Sequence, residues 1–196
     1  MNAKTALKTI PAMLALPFRL RRDPPKPPAG SEHYDPTPTA PSLDAATVKA
    51  TDIPVAHTPP EGSREWPAPV LAGCDEPLVD EAPDLRGVWQ AYRGPLKGHI
   101  ERVEQAGDRV VITAAGLIHD MYANGTLTGG VNDIGEGTGD AISVAARFED
   151  GRLNLYPGDR GVAVVTRYRE GDDMVWRYGP FKNRLRRLAG PEDAAG

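Results

Sequence analysis

One pair of neighbouring residues, His119 and Asp120, has the side-chain types that general acid–base chemistry uses. An imidazole can exchange a proton near neutral pH, and a carboxylate within hydrogen-bond reach can orient it. The surrounding sequence alternates like a β-strand, so these adjacent side chains point to opposite faces and cannot orient each other. Asp133 could face Asp120 across the Asn124-Gly125 turn, but facing carboxylates are equally typical of a solvated edge. We therefore expect no catalytic residues, and a chain that is not an enzyme.

The histidines and the single cysteine do not have the spacing of a metal site. Two of the four histidines, His33 and His57, lie in the proline-rich first half, and Cys74 is far from the others in sequence. The glycine-rich stretch at residues 135–140 lacks the lysine and the following helix that a phosphate-binding loop requires. We expect neither a metal nor another cofactor.

Aromatic and polar side chains in the second half could line a site for a small molecule, since such sites combine apolar walls with a few polar groups. The candidates for ligand contact are His119, Tyr122, Tyr168, Met174, Trp176 and Tyr178. An inward arginine would need an anionic partner, because an unpaired buried charge is very costly. Arg147 or Arg167, with Tyr168, could therefore hold the carboxylate or phosphate of an amphipathic ligand. The strand alternation favours the alternative, in which both arginines lie outside and pair with acids.

Turn sequences divide residues 84–190 into short segments that are typical of half-buried strands. The strongest turns are Asn124-Gly125 and Asp150-Gly151, because both central residues of a type I′ hairpin turn need positive φ. The predicted strands after the first are Ile100–Gln105, Arg109–Thr113, Leu117–Ala123, Thr126–Ile134, Ile142–Glu149, Arg152–Tyr156, Val162–Arg169, Met174–Tyr178 and Asn183–Leu188. Nothing between them has helical period or length.

This pattern predicts an all-β fold, a small antiparallel meander of eight to ten strands. Closure into a barrel would remove the two exposed edges of an open sheet. A two-sheet sandwich is the alternative, but the chain has no long crossover connection. A barrel of this size either fills itself with side chains or holds one small ligand. The loop at residues 135–140 would then act as a lid at its mouth.

The start of the barrel region resembles the first strand of lipocalin-like (calycin) barrels. Residues 84–89 read Asp-Leu-Arg-Gly-Val-Trp. In those families a Gly-x-Trp places its tryptophan in the barrel floor, and an arginine from the last strand packs over the indole, a favourable cation–π contact. The resemblance implies structural roles for Gly87, Trp89 and Arg186, one of three arginines on the last predicted strand.

The region is similar in size to short bacterial calycin-like domains, which include the haem-binding nitrobindins. Those domains ligate iron through a histidine late in the barrel, whereas no histidine follows His119 here. Haem is therefore not expected. The resemblance implies a non-catalytic binding protein for a small apolar or amphipathic molecule such as a lipid.

The first 83 residues differ in composition from the rest, since they hold sixteen of the twenty prolines and only three of the twelve aromatic residues. Such a segment can pair little backbone and bury little apolar area. We expect residues 1–83 to be a basic arm followed by a disordered proline-rich linker, residues 84–190 the barrel, and residues 191–196 a disordered tail. Trp66 is expected to dock onto the folded domain.

Charge distribution bears on partners and location. Residues 1–26 carry six basic residues and one acid, which suits contact with an anionic membrane surface, although an export signal is an alternative. Residues 84–190 carry fifteen basic and fourteen acidic residues, too balanced for nucleic-acid binding. We expect a cytoplasmic protein, with peripheral membrane contact through the arm as one alternative. The alternative function is a filled barrel that serves as an interaction module, tethered by that arm.

Overall fold

A computed structural model describes residues 48–59, 66–114, 116–134, 141–158 and 161–191. The basic arm, the loop at residues 135–140 and the tail beyond residue 191 lie outside the described residues. The described part holds a 3₁₀ turn at Ala50–Asp52 and ten strands. The strands are β1 (Gly87–Arg93), β2 (Ile100–Ala106), β3 (Arg109–Ala114), β4 (Leu117–Tyr122), β5 (Val131–Ile134), β6 (Ala141–Glu149), β7 (Arg152–Pro157), β8 (Val165–Glu170), β9 (Asp173–Tyr178) and β10 (Phe181–Ala189).

The ten strands form one antiparallel sheet that curls into a nearly closed barrel. Each strand pairs with its neighbours in sequence, except that β1 also pairs with β10 and β4 does not pair with β5 along a ladder. The order around the sheet is β4-β3-β2-β1-β10-β9-β8-β7-β6-β5. This arrangement confirms the all-β antiparallel meander of eight to ten strands, curled into a barrel, that the sequence predicted.

The tight turns use the residues that the sequence analysis identified. Asp150 and Gly151, between β6 and β7, have φ of 52° and 65°. Both values lie in the left-handed region that a type I′ turn requires at its two central positions. This turn fixes the register in which Glu149 pairs with Arg152.

The hairpin expected at Asn124-Gly125 is wrong, because β4 and β5 are separated by a seam. The Asn124 side chain accepts hydrogen bonds from the Thr126 amide and hydroxyl, so the loop folds back on itself. The Gly125 amide donates to the carbonyl of Ala146 on β6, at 2.8 Å. These local bonds compete with strand pairing, as Asn side chains commonly do.

Residues 48–59 and 66–83, here called the strap, pack on the outer face of β2, β3 and β4. Ala50 and Leu71 of the strap are buried against Ala106, Val111 and Ile118 of the barrel. The described part of the proline-rich linker therefore contributes to a small second core. Its backbone groups are satisfied by barrel side chains and not by a strand ladder, which explains why proline is tolerated there.

The strap also bridges the seam. The Ala56 amide donates to Asp120 Oδ2 on β4, and the Thr58 amide donates to Asp133 Oδ2 on β5, both at 2.8 Å. The Thr58 hydroxyl contacts the backbone of Ile118. The two aspartates thus face the strap, and not each other as the sequence allowed.

Strand β8 begins at Val165, three residues later than predicted, and Val162 is 72% exposed. Because residues 162–165 are all apolar, the sequence analysis began the strand too early and assigned its inner and outer faces the wrong way round. The inner row of β8 consists of Val165, Arg167 and Arg169, because Val165 and Arg167 pair with the core residues Tyr178 and Trp176 of β9. Within the described residues, no helix has both the length and the apolar character needed to cross a membrane.

Candidate functional site

The floor of the barrel is built around Trp89 on β1, which is fully buried. Its Nε1 atom donates to the carbonyl of Leu85 at 2.7 Å. The guanidinium groups of Arg169 and Arg187 each lie 5.0 Å from the indole ring. This is the arrangement that the calycin resemblance implied.

The arginine from the last strand is Arg187, so the structural role expected for Arg186 is wrong. Arg187 pairs in register with Trp89, whereas Arg186 pairs with Gln90 and therefore lies on the outer face. There Arg186 donates to Gln90 Oε1. Gly87 is required sterically, because its φ is +133° and a Cβ atom would lie 2.4 Å from the Ala189 carbonyl oxygen.

A buried ion pair between Glu101 on β2 and Arg167 on β8 lies beside Trp89, since Glu101 pairs in register with it. Arg167 donates from Nε and Nη2 to the two carboxylate oxygens, at 3.0 and 2.9 Å. The side chains are 0% and 7% exposed, respectively. Burial disfavours the ionised carboxylate, but Arg167 and His99 outweigh it and lower the pKa of Glu101 to about 2. The pair is therefore ionised at neutral pH and has no net charge.

Aromatic and imidazole rings surround this pair. The Arg167 guanidinium lies 4.7 Å from the ring centre of Trp176, and the His99 ring lies 5.0 Å from Trp176. His99 Nε2 is 3.4 Å from Glu101 Oε2. We refer to His99, Glu101, His119, Arg167 and Trp176 as the inner cluster.

His119 belongs to the inner cluster because it pairs with the core residue Ile112 and so faces the interior. Burial lowers its pKa to about 4, and the nearby positive charge of Arg167 acts in the same direction against the weaker opposite effect of Asp133 and Glu101. The imidazole is consequently neutral at pH 7. A neutral imidazole offers one donor and one acceptor nitrogen.

Three polar atoms of the inner cluster are buried without a hydrogen-bond partner among the described residues: His99 Nδ1, His119 Nε2 and Trp176 Nε1. Leaving such an atom unpaired costs about 1–3 kcal/mol. Buried polar groups in folded proteins are almost always paired with protein, water or ligand. The cluster can therefore accept a polar group from a guest molecule.

Apolar side chains near the starts of β6 and β10 lie at the same end of the barrel as the cluster. Ile142 and Val144 on β6 and Phe181 on β10 pack against the core and remain partly accessible. Leu96, in the β1–β2 loop, is buried over this end, and its amide donates to Asn183 Oδ1 at 3.0 Å. The combination of polar cluster and apolar rim suits an amphipathic guest.

The structure brings four of the six candidate ligand residues to the inner face: His119, Met174, Trp176 and Tyr178. Tyr122 and Tyr168 lie on outer rows, because strand alternation places them opposite Met121 and Arg167. Tyr122 lies beneath the guanidinium of Arg109, and Tyr168 beneath that of Arg152.

The two arginine candidates are also on different faces. Arg147 is exposed and pairs with Glu149, as the outer-face alternative expected. Arg167 is inside, but its acid partner is Glu101 of the chain itself. Sequence reasoning missed His99 and Glu101. Both alternate with Val103, a core residue, so the strand pattern placed an acid on the inner face of β2.

Two surface cavities lie outside the barrel. One, of about 540 Å³, is lined by Glu81, Glu149, Asp150, Arg152 and Asn154 near the β6–β7 turn. The other, of about 230 Å³, lies between the strap and the seam, where Ala56, Tyr122 and Asn132 contribute. Neither is lined by the inner cluster. Within the described residues, no group of three or more His, Cys, Asp or Glu side chains is arranged to hold a metal ion.

Comparison with known proteins yields a structural similarity. No protein-family model matches the chain, and no curated protein matches it. Among solved structures, the chain is similar to a human protein described as cRBP IV, with a TM-score of 0.45 and 16% sequence identity. The match covers 53% of this chain and 98% of that chain. The barrel assignment itself rests on the strand order and registers described above.

Proposed function

We propose that this protein binds one small amphipathic molecule inside the barrel, at the end where the inner cluster meets the apolar rim, and that it performs no reaction on it. The single observation that carries the proposal is the set of three buried, unpaired polar atoms around one ion pair. In a filled core such atoms stay unpaired, and each unpaired atom lowers the stability of the fold. A bound polar group would satisfy them.

The apolar part of the guest would lie against Ile142, Val144 and Phe181. These side chains line the rim without being fully buried, so covering them removes apolar surface from water. Entry would require displacement of Leu96 with the β1–β2 loop. Loop motion of this kind is common at binding sites.

A second candidate function is supported by the packing of the interior. Trp89, Leu153, Met174 and Leu185 are large and fully buried, and they occupy much of the barrel. With water in place of a guest at the inner cluster, the protein would be a filled interaction module. The membrane tether through the basic arm belongs to this alternative.

The direct test is fluorescence of an environment-sensitive naphthalene probe added to the full chain. We expect displaceable binding with a dissociation constant of roughly micromolar order, which corresponds to about −8 kcal/mol. Trp176→Phe keeps an aromatic ring but removes the Nε1 donor, so it should weaken binding about tenfold, the usual value of one hydrogen bond.

The matched control is Tyr168→Phe, which removes a hydroxyl from the outer face of β8 and should leave probe binding unchanged. Absence of displaceable binding to the folded protein would contradict the proposal and favour the interaction module. Equal binding by both variants and the wild type would place the probe on the outer surface, which also contradicts it.

A further inference from the structure

We infer that the inner cluster selects a neutral hydrogen-bonding head group, above all a hydroxyl, and that Glu101 excludes ligands with a carboxylate or phosphate. This inference rests on the proposed function and specifies its ligand class. It differs from the hypothesis that Arg147 or Arg167 holds an anionic ligand, which the strand alternation did not favour.

The charge balance of the cluster supports this inference. Arg167 directs Nε and Nη2 at Glu101, and both side chains are almost completely removed from water. The positive charge is therefore matched before any ligand arrives. An anionic head group would bring a second negative charge next to Glu101, where Arg167 is already paired. The other inward arginines, Arg169 and Arg187, lie over the Trp89 ring. A buried charge without a partner is very costly.

The other charged and titratable groups facing His119 do not change that balance. Besides Arg167 and Glu101, the group that acts on it is the carboxylate of Asp133 on β5. Asp133 already accepts hydrogen bonds from the amides of Thr58 and Ile134. It adds negative charge on the side of the seam, which further disfavours an anionic guest.

The unpaired atoms indicate which neutral head group would fit the cluster. Trp176 Nε1 can only donate a hydrogen bond, whereas a ring nitrogen of the neutral His119 imidazole can donate or accept according to its tautomer. A hydroxyl oxygen accepts from the indole and can donate its own proton to an imidazole. A carbonyl or ester oxygen can only accept, so it satisfies fewer of these atoms.

The test compares three ligands with the same apolar chain: decanol, methyl decanoate and decanoate. Each is used to displace the naphthalene probe from the wild-type full chain at neutral pH. We expect decanol to compete best, the ester to compete more weakly, and decanoate to compete at least about tenfold more weakly than decanol.

Glu101→Gln keeps the shape of the side chain but removes its charge, which leaves the Arg167 cation unmatched. In this variant decanoate should gain at least about tenfold relative to decanol. The matched control is Glu104→Gln. Glu104 is also buried on β2, but it lies on the outer face and pairs with Arg102. It should leave the order of the three ligands unchanged.

The outcomes separate this inference from the proposed function. If no ligand displaces the probe, or if the probe does not bind at all, the proposed function itself fails. If all three displace it and decanoate competes as well as decanol, only the ligand class is wrong. If Glu101→Gln does not fold, the wild-type order of decanol, ester and decanoate still decides the question.

Discussion

His119 is a neutral imidazole held among buried charges on the inner face of β4. The charges of Arg167, Glu101 and Asp133 act on its ring, and its Nε2 atom is buried. Since burial lowers its pKa to about 4, the native protein resists protonation at a pH where the unfolded chain accepts a proton. This difference couples the stability of the barrel to pH.

We expect the free energy of unfolding to fall as the pH is lowered from about 6.5 toward 4. In that range the unfolded state binds the proton at His119 and the native state does not, so stability rises with pH. Between pH 7 and pH 5 the loss should be about 2 kcal/mol, from 1.36 kcal/mol per pKa unit. His119→Gln should abolish that part of the loss. Urea unfolding of both proteins at the two pH values measures it.

The control for this measurement is Tyr168→Phe, which removes only a hydroxyl on the outer face of β8. It should keep the wild-type dependence on pH. A His119→Gln variant with the same dependence as the wild type would contradict the burial argument. Both measurements stay above pH 4.5, below which Glu101, with a pKa of about 2, begins to add its own loss of stability.

At this scale the sequence predicted some site residues and not others, for a physical reason. The alternation of Met174, Trp176 and Tyr178 on β9 is strong, and those residues do face inward. The predicted faces of β8 were reversed, because the apolar residues at 162–164 precede the strand. The Glu101–Arg167 pair joins β2 to β8, and no local pattern reports a contact between positions so far apart in sequence.

The strap is the element that the amino-acid composition did not predict. Arg109 on β3 forms an ion pair with Asp120 on β4, with Nη2 to Oδ2 at 2.6 Å, and both side chains are fully buried. The same guanidinium donates to the carbonyls of Ala50, Ile53 and Pro54. One side chain thus satisfies three carbonyls of a segment that has no ladder of its own.

A second buried pair on β2 holds the later part of the strap. Glu104 accepts a hydrogen bond from the Leu71 amide, and Arg102 donates to the carbonyls of Pro67 and Ala68. The Arg102 guanidinium also lies 5.7 Å from the Trp66 ring, as the expected docking of Trp66 requires. Two ion pairs on the outer face of β2, β3 and β4 therefore act as clamps on the strap backbone.

Docking of the strap should be visible through Cys74, the single cysteine of the chain. Burial, with a further contribution from Glu76, raises the pKa of its thiol to about 11, and the thiolate is the reactive form. Arg109→Lys keeps the positive charge but loses the planar fork that reaches several carbonyls. We expect maleimide to label Cys74 faster in this variant, on the order of tenfold at mildly alkaline pH.

Arg147→Lys is the matched control, because Arg147 is half exposed on the outer face of β6 and pairs with Glu149 and not with a strap carbonyl. Its labelling rate should equal that of the wild type, and the β-type circular dichroism of all three proteins should agree. Unchanged labelling in Arg109→Lys would mean that the clamp does not hold the strap.

At the scale of the whole molecule, residues 84–190 contain every described strand. They do not contain the strap residues that complete the small second core. A fragment of residues 84–191 should fold as a β protein, yet leave Ala106, Val111 and Ile118 in contact with water. A fragment of residues 48–191 retains the strap, which covers these three side chains. We expect it to be more stable in urea, because it keeps Val111 and Ile118 buried and each such side chain contributes about 1.5–3 kcal/mol.

Equal stability of the two fragments would show that the strap contributes nothing to the fold, and the boundary at residue 84 would then be correct. The sequence predicted that boundary from the distribution of proline and aromatic residues, which indicates where the strands begin. It does not report which irregular segments pack on them, because a strap needs only a few apolar anchors and suitably placed side-chain partners.

The ladder between β1 and β10 has a consequence for how quickly the barrel forms. The other described strand pairs join neighbours in sequence, so they can assemble as local units. Pairing β1 with β10 instead closes a loop that contains nearly the whole barrel, and the entropy cost of closing a loop rises with its length. We therefore expect the local strand pairs to form before the folding transition state and the β1–β10 ladder to form after it. Substitutions such as Leu185→Ala on β10 would then accelerate unfolding and leave the folding rate nearly unchanged.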